Sequence, residues 1–265
     1  GTVVGTTTAT GTNYGVAPNA TLLHAKVFPG SGSTSFANIT TGMQWAVAHD
    51  AETDVISMSL GASGYYEEFI EPVQNARSAG VVVVAASGNR GPGTSSSPAN
   101  IYETLAVGAT DKTETVPALS SGETVITSSA WKTTSTTATW PDEYIIPDIA
   151  APGLDVKSAV SGGGYGIKSG TSMATPHVAG TAALLQSATN ETLTPAEIET
   201  AIRSTAHHPD GAAAVDTRYG QGIVDADAAA DSVATPASFQ LTNVTAPTTF
   251  AADVNYSITA SVRNA

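Results

Sequence analysis

The sequence of 265 residues predicts an α/β fold, a doubly wound and mostly parallel sheet with helices on both faces, in three layers. Short apolar runs alternate with stretches in which apolar residues recur at helical spacing. The clearest run is Val81–Ala86, which reads VVVVAA. Strands that are almost continuously apolar are typical of parallel sheets buried on both faces. A hydrophobic content of 41% is enough for a sizeable core.

Each element follows from its own local pattern. Strands are predicted at Leu22–Phe28, Asp54–Leu60, Val81–Ala86 and Thr104–Ala109, with a return to the core at Ile145–Gly153. Helices are predicted around residues 39–47, at Phe69–Ala79 and at Met173–Gln186. A further helix has an explicit start, because Thr194 is a good N-cap, Pro195 suits the first position and Glu197 completes a capping box.

Two segments depart from this pattern. Residues 114–142 are rich in Thr and Ser and contain Trp131 and Trp140, and we interpret them as a surface insertion outside the core. From Val233 onward a Thr-Pro linker precedes two alternating stretches, which cannot form a stable sheet alone. The predicted domains are therefore residues 1–232, and residues 233–265 as a linker and the beginning of a β-sandwich-like domain.

Composition excludes several classes of function. With 23 acidic and 10 basic residues the formal charge is −13, which disfavours nucleic acid as a partner. No window approaches eighteen unbroken apolar residues, so no membrane span is predicted. Cysteine is absent, which excludes disulfides and thiol nucleophiles. The acidic excess fits either an ordinary solvated surface or a high-salt habitat.

Several features bear on localisation. Asn-x-Ser/Thr sequons, which agree with secretion, occur at Asn19, Asn38, Asn190, Asn243 and Asn255. No signal peptide is visible, and the chain begins at Gly1 rather than Met. We therefore expect that Gly1 is not the native start of translation.

Ser172 is the first candidate for chemistry. It lies in the segment SGTSMATPHVAG, where a helix is expected to begin and Pro176 is expected in the first turn. The free N–H groups at a helix N-terminus favour an anion beside this serine, although a simple helix cap explains it as well. His177 comes five residues later, about 140° around the helix, so it is expected to pack rather than to act as the base.

Polar, glycine-rich turns come after the predicted strands, and in parallel sheets such exits gather the ligand sites. These turns are Gly30–Ser33, Ser59–Gly61 and Ser87–Gly91. Asn89 is either a turn residue or an amide donor for a developing oxyanion. Ser59 is open to the same two interpretations, as a strand end or as part of a site.

Together these segments resemble the subtilisin-like serine protease family, including secreted members and haloarchaeal ones. SGTSMATPHVAG resembles the nucleophile segment of the family, VVVVAASGNRG its oxyanion-asparagine segment, and DVISMSLG the strand that lines its substrate cleft. Three further matches occur in the family's order, at Gly15–Ala20, Pro147–Gly153 and Tyr219–Ile223. The resemblance covers residues 1–231, with 114–142 as a local departure.

The resemblance implies roles for particular residues. Ser172 would attack a peptide carbonyl, while its own N–H and the amide of Asn89 hold the oxyanion. An extended substrate would lie between two edges, Ser59, Leu60, Gly61 and Gly30, Ser31, Gly32, with Gly88 and Arg90 near the primary specificity pocket. Arg90 would favour an acidic residue in that pocket. The implied protein is a secreted or cell-surface serine endopeptidase that works through an acyl-enzyme and acts, as a monomer, on proteins or peptides.

One departure from the family concerns the base. The family's chain order is Asp, His, Ser, and its histidine lies in a segment like HGTHVSGT. Gly1–Gly5 reads GTVVG, which resembles the end of that segment and the residues just after it. We therefore expect the histidine and the aspartate upstream of Gly1, and a fragment that is inactive alone. The family often binds calcium in the loop before Gly15, but Thr6–Tyr14 has no carboxylate, so no cofactor or metal site is assigned.

Two alternatives remain. The chain could be a non-catalytic, protease-like binding or cell-surface module, and the presence or absence of Asp-Ser/Thr-Gly and His-Gly-Thr-His segments before Gly1 would discriminate. A lipase-type hydrolase needs Gly two residues after the nucleophile, and Ala174 stands there.

Overall fold

A computed structural model describes residues 1–6, 11, 14–30, 32–132, 137–189, 193–209, 211, 214–234, 239–245 and 259–264. The chain divides into two compact units, Gly1–Val233 and Ala234–Ala265. In the second unit two strands pair in antiparallel fashion. Their membership of a larger β-domain stays a prediction.

The helices of the first unit are α1 Phe36–Val47, α2 Ile70–Ser78, α3 Thr127–Ala130, α4 Thr171–Ala188, α5 Pro195–Ser204 and α6 Ala226–Val233. Its strands are β1 Val55–Met58, β2 Ala62–Ser63, β3 Val82–Ala86, β4 Ser96–Ser97, β5 Leu105–Thr110, β6 Glu123–Ile126, β7 Glu143–Ile146, β8 Ile149–Pro152, β9 Val156–Ala159 and β10 Tyr165–Lys168. The second unit contributes β11 Phe239–Thr245 and β12 Thr259–Asn264. The predicted capping box at Thr194 is present at the start of α5.

The core of the first unit is a parallel sheet with strand order β1-β3-β5-β8. Its residues alternate between two apolar clusters, since Val83 and Ala85 face one side while Val82 and Val84 face the other. Helices α1 and α2 cover the first face, and α4 packs across all four strands on the second. The predicted class, a doubly wound parallel sheet of the subtilisin-like type, is confirmed. Within the described ranges no helix has the length and hydropathy needed to cross a bilayer.

The predicted strand Leu22–Phe28 is wrong. The structure places this segment in extended chain without ladder pairing, across a cavity of about 930 Å³ from β1. A strand needs a neighbour at about 4.8 Å to exchange backbone hydrogen bonds, and the cavity separates this segment from the edge of the sheet. The segment still buries some apolar surface, because Val27 packs against the cluster under α1.

The interpretation of residues 114–142 as a surface insertion is also wrong. Strand β6 pairs with β7 in antiparallel register, and Val125, Trp131 and Trp140 are buried in the same cluster as α1 and α2. The two indole N–H groups are satisfied inside the protein: that of Trp131 donates to Tyr144 Oη at 2.9 Å and that of Trp140 to Glu103 Oε1 at 2.6 Å. Most of the apolar surface buried here comes from a few aromatic side chains. The Thr/Ser-rich composition of the stretch therefore gives no indication that part of it is buried.

A partly buried ion cluster joins α2 and α5 to the start of β8. Glu199 pairs with Arg77 and, at 3.6 Å, with Arg203, whose other partner is Asp148 at 2.9 Å. Asp148 also accepts the backbone N–H of Ala106 at 2.8 Å. Burial raises the pKa of both Asp148 and Glu199, because desolvation penalises the ionised carboxylate.

We expect Trp140→Ala to lower the free energy of unfolding by about 3–5 kcal/mol, because it leaves a cavity and removes one of the two donors to Glu103 Oε1, the other being Gln74. Trp45→Ala is the matched control: Trp45 is 39% exposed, and its loss should cost about 1 kcal/mol or less. Urea unfolding of both variants measures the difference. Equal and small effects would restore the interpretation of residues 114–142 as a surface insertion.

Candidate active site

Ser172 is the second residue of α4 and is partly exposed. The chain enters the helix through Gly170, whose φ of 143° is a conformation that residues with a side chain rarely adopt. A Cβ at Gly170 would lie 3.2 Å from Asn89 Oδ1, so the entry to the helix passes directly beside Asn89. Because α4 packs on the sheet, its N-terminus is held at the carboxyl end of β3.

Pro176 lies in the second turn of α4, not in the first as predicted, because the helix begins at Thr171. Proline has no N–H, so the carbonyl of Ser172 lacks its helical donor four residues on. Ser59 supplies the replacement: its Oγ donates to Ser172 O at 2.6 Å. In return Ser172 Oγ donates to Ser59 O at 3.2 Å. These reciprocal bonds fasten Ser172 to the exit of β1.

Asn89 lies just past the exit of β3 and is exposed. Its Oδ1 accepts the backbone N–H of Thr171 at 2.9 Å and the Thr171 hydroxyl at 3.1 Å. Because a backbone N–H can only donate, the atom that it meets is the amide oxygen. The Nδ2 group of Asn89 therefore keeps its hydrogens for another acceptor, close to the N-terminus of α4.

The Asn89 loop, residues 87–91, is held by the segment 119–121. Ser87 Oγ donates to Ser121 O and the N–H of Ser121 donates to Gly88 O, both at 3.0 Å. The N–H of Arg90 donates to Ser121 Oγ at 3.0 Å, and that of Gly91 to Leu119 O at 2.9 Å. This support was not predicted, because Leu119–Ser121 lies in the stretch interpreted as a surface insertion.

Gly61, from a predicted substrate edge, and Gly88, a predicted substrate-binding residue, both lie close to Ser96. A Cβ on Gly61 would lie 3.0 Å from Ser96 Cβ, and one on Gly88 would lie 2.7 Å from Ser96 Oγ. Ser96 is buried. Ser96 lies in a run of serines, Ser95–Ser97, and no pattern in the sequence distinguishes it from its neighbours. Leu60 packs against the cluster under α1 and is partly buried.

The other predicted substrate residues make few described contacts with the rest of the site. Gly30 and Gly32 are exposed, and an added Cβ on either would meet nothing within 4 Å. Ser31 lies outside the described residues. Arg90 is exposed, and its described contact is the backbone bond to Ser121. The substrate roles of Gly30, Ser31, Gly32 and Arg90 stay predictions.

His177 lies on α4 with Nδ1 at 3.0 Å from Met173 O. Burial lowers the pKa of His177, because desolvation disfavours the imidazolium. Among the described residues, no histidine or carboxylate forms a hydrogen bond with Ser172 Oγ. Those residues also hold no group of three or more His, Asp or Glu side chains fit for a metal. Much of the loop predicted to lack calcium, residues 7–10, 12 and 13, lies outside the described residues.

A serine at a helix N-terminus, beside a side-chain amide at the carboxyl edge of a parallel sheet, fits the class of serine hydrolases that stabilise an oxyanion. Residues 1–222 match the model of the subtilase family. The chain therefore belongs to the subtilase family.

Curated relatives agree with this membership. The chain is 37% identical over 215 residues to alkaline elastase YaB of Bacillus sp. (strain YaB), a match that covers 81% of this chain and 50% of the relative. It is 36% identical over 220 residues to subtilisin of Bacillus pumilus, covering 82% of this chain and 70% of that protein. The chain spans about half the length of most of the curated relatives that it matches.

Solved structures share the fold. The prenylagaramide maturation protease PagA superposes with a TM-score of 0.70 at 25% identity, covering 88% of this chain and 80% of that one. A protease from Pseudoalteromonas arctica PAMC 21717 superposes with a TM-score of 0.61 at 30% identity, covering 76% and 60%.

We expect Ser59→Ala to lower the free energy of unfolding by about 1 kcal/mol, because Ser172 O loses its donor. Pro176→Ala restores a helical N–H to that carbonyl, so Ser59→Ala in the Pro176→Ala background should cost less than half as much. Thermal unfolding of the wild type, both single variants and the double variant measures this coupling. Additive effects would show that Pro176 and Ser59 do not share the Ser172 carbonyl.

Proposed function

We propose that the protein containing this chain is a serine endopeptidase that hydrolyses peptide bonds through an acyl-enzyme. The observation that supports this function best is the position of Ser172 at the N-terminus of α4, next to the amide of Asn89. Ser172 Oγ attacks the scissile carbonyl carbon, and its proton passes to a base. The base then returns a proton to the leaving amine, and water releases the acyl group.

The negative charge that develops on the substrate carbonyl oxygen needs donors that are already in place. Two are available in the proposed site, Asn89 Nδ2 and the backbone N–H of Ser172 in the first turn of α4. The bonds from Thr171 fix the Asn89 oxygen and so present its nitrogen. The site therefore stabilises the oxyanion without reorganising during the reaction.

We propose that the base and the group that orients it come from outside the described residues. His177 is bonded to Met173 O, and the Ser172 hydroxyl is bonded to a backbone carbonyl. The described residues therefore offer no route for the Ser172 proton, and we expect residues 1–265 to be inactive without the histidine and aspartate.

The substrate is proposed to be a protein or peptide that lies extended between the Ser59–Gly61 edge and the Gly30–Gly32 edge, as an added strand. The net charge of −13 and the sequons support a protein that is secreted or displayed at the cell surface, works as a monomer and tolerates high salt. No metal or cofactor enters the proposed chemistry, and the mechanism needs none.

A serine-directed fluorophosphonate tests this function on the full-length protein. Ser172 should be labelled, Ser172→Ala should abolish both labelling and hydrolysis, and residues 1–265 alone should label far more slowly. Asn89→Ala should lower kcat by about 10²–10³-fold, a magnitude established for the equivalent donor in subtilisin rather than derived from this chain. A folded full-length protein whose Ser172 resists the reagent would support the non-catalytic module instead.

Arg90 generates a separate prediction. Because its guanidinium is exposed beside Asn89, we expect peptides with an acidic residue before the scissile bond to be cleaved a few-fold faster than matched neutral ones. Arg90→Gln should remove that preference, and about 1 M salt should reduce it by screening. Equal kcat/KM values for acidic and neutral peptides in the wild type would rule out this role.

A further inference from the structure

Arg218 lies in a tight bend between α5 and α6, far along the chain from Asn89. Asp216 Oδ1 accepts the N–H groups of both Arg218 and Tyr219 at 2.7 Å, which fixes the bend. The bend touches the chain just before β6, since a Cβ on Gly122 would lie 1.9 Å from Thr217 O. The Arg218 side chain is thereby aimed at the segment that precedes Gly122.

The guanidinium of Arg218 binds backbone carbonyls. It donates to Ser120 O at 3.0 Å, to Val116 O at 3.2 Å and to Pro117 O at 2.7 Å. Among the described residues it forms no ion pair with a carboxylate. The planar guanidinium has five donors in a fixed arrangement, so one side chain can gather three carbonyls of a turn, which the single ammonium of lysine does less well.

These carbonyls belong to residues 116–121, which we name the brace segment. Its far end makes the four hydrogen bonds to the Asn89 loop, through residues 87, 88, 90 and 91. Ser120 Oγ anchors the same segment to the sheet by accepting the N–H of Ala109 at 2.9 Å. On its other side the loop meets Thr171, through the Asn89 side chain and the backbone of Gly88.

We propose that Arg218 is a positioning residue for the proposed peptidase reaction: it holds the brace segment, and the brace segment holds the Asn89 amide at the N-terminus of α4. This inference rests on the function proposed above. Arg218 has no described hydrogen bond to Ser172 or Asn89 and acts through the hydrogen bonds of the brace segment. Loss of its guanidinium leaves Val116 O and Ser120 O without their described donor and Pro117 O with only the N–H of Ser120, and it lets the Asn89 loop drift from the oxyanion position.

Backbone amide exchange tests the brace directly, on the full-length protein. Arg218→Met should speed the exchange of the Arg90 and Gly91 amides by about tenfold or more, while those of β3 stay unchanged. Arg77→Met is the matched control, because Arg77 is a partly buried arginine of the ion cluster with no described bond to the brace segment. It should change stability without changing exchange at Arg90 and Gly91. Arg218→Lys should give an intermediate rate and is the second variant if Arg218→Met does not fold.

A double-mutant cycle tests the catalytic consequence. Arg218→Met should lower kcat by about tenfold, with KM within about twofold, because the oxyanion contact matters most in the transition state. In the Asn89→Ala background the same substitution should change kcat by less than about twofold, since Arg218 acts through that amide. A role in general stability would lower the rate equally in both backgrounds and would overturn the proposal.

The two proposals fail in different ways. If Ser172→Ala left hydrolysis intact, the peptidase assignment at Ser172 would fall, and with it the catalytic role of Arg218. If Ser172→Ala abolished hydrolysis but Arg218→Met left exchange at Arg90 and Gly91 unchanged, the peptidase would stand and the brace would be overturned.

Discussion

The structure depends on burying one parallel sheet on both of its faces. In β3 every residue is buried, and successive side chains enter different apolar clusters, one beneath α1 and α2 and the other beneath α4. A sheet covered in this way must connect its strands through helices and loops, and all its carboxyl ends face the same edge. The Asn89 loop and the N-terminus of α4 meet at that edge because α4 has to lie across β3 to cover it.

Two departures from regular helix geometry at the start of α4 then position the groups proposed to react. Gly170 lets the chain turn into α4 close against Asn89, and Pro176 removes a helical donor from the Ser172 carbonyl. Ser59 supplies the missing donor. The hydrogen bond that replaces the helical one therefore connects the proposed nucleophile to the proposed substrate edge. Asn89, fixed through its oxygen, is left with its nitrogen to donate. The same hydrogen-bonding requirements that stabilise the fold thus orient the groups proposed to react.

Support for this edge comes from parts of the chain with little apolar pattern. The Asn89 loop is bonded to residues 119–121, and these are bonded in turn to Arg218, which lies about a hundred positions later. Nearby, Trp131 and Trp140 enter the core from a stretch dominated by Ser and Thr. Hydrogen bonds between the backbone and distant side chains have no periodicity along the chain. These supporting contacts therefore cannot be recognised in a single sequence.

The sequence by itself predicted the sheet and the helices that cover it, because apolar periodicity and glycine-rich strand exits are local patterns with direct structural meaning. The family, and the association of Ser172 with Asn89, came from the resemblance of whole segments to the subtilisin-like proteases. Only the tertiary structure decided that Leu22–Phe28 does not join the ladder, that Val125, Trp131 and Trp140 belong to the core, and that Pro176 lies beyond the first turn. It also decided the partners of the Asn89 loop. Strand pairing, burial of isolated aromatic residues and long-range hydrogen bonds all depend on which segments become neighbours in space, and the identity of a residue does not specify its neighbours.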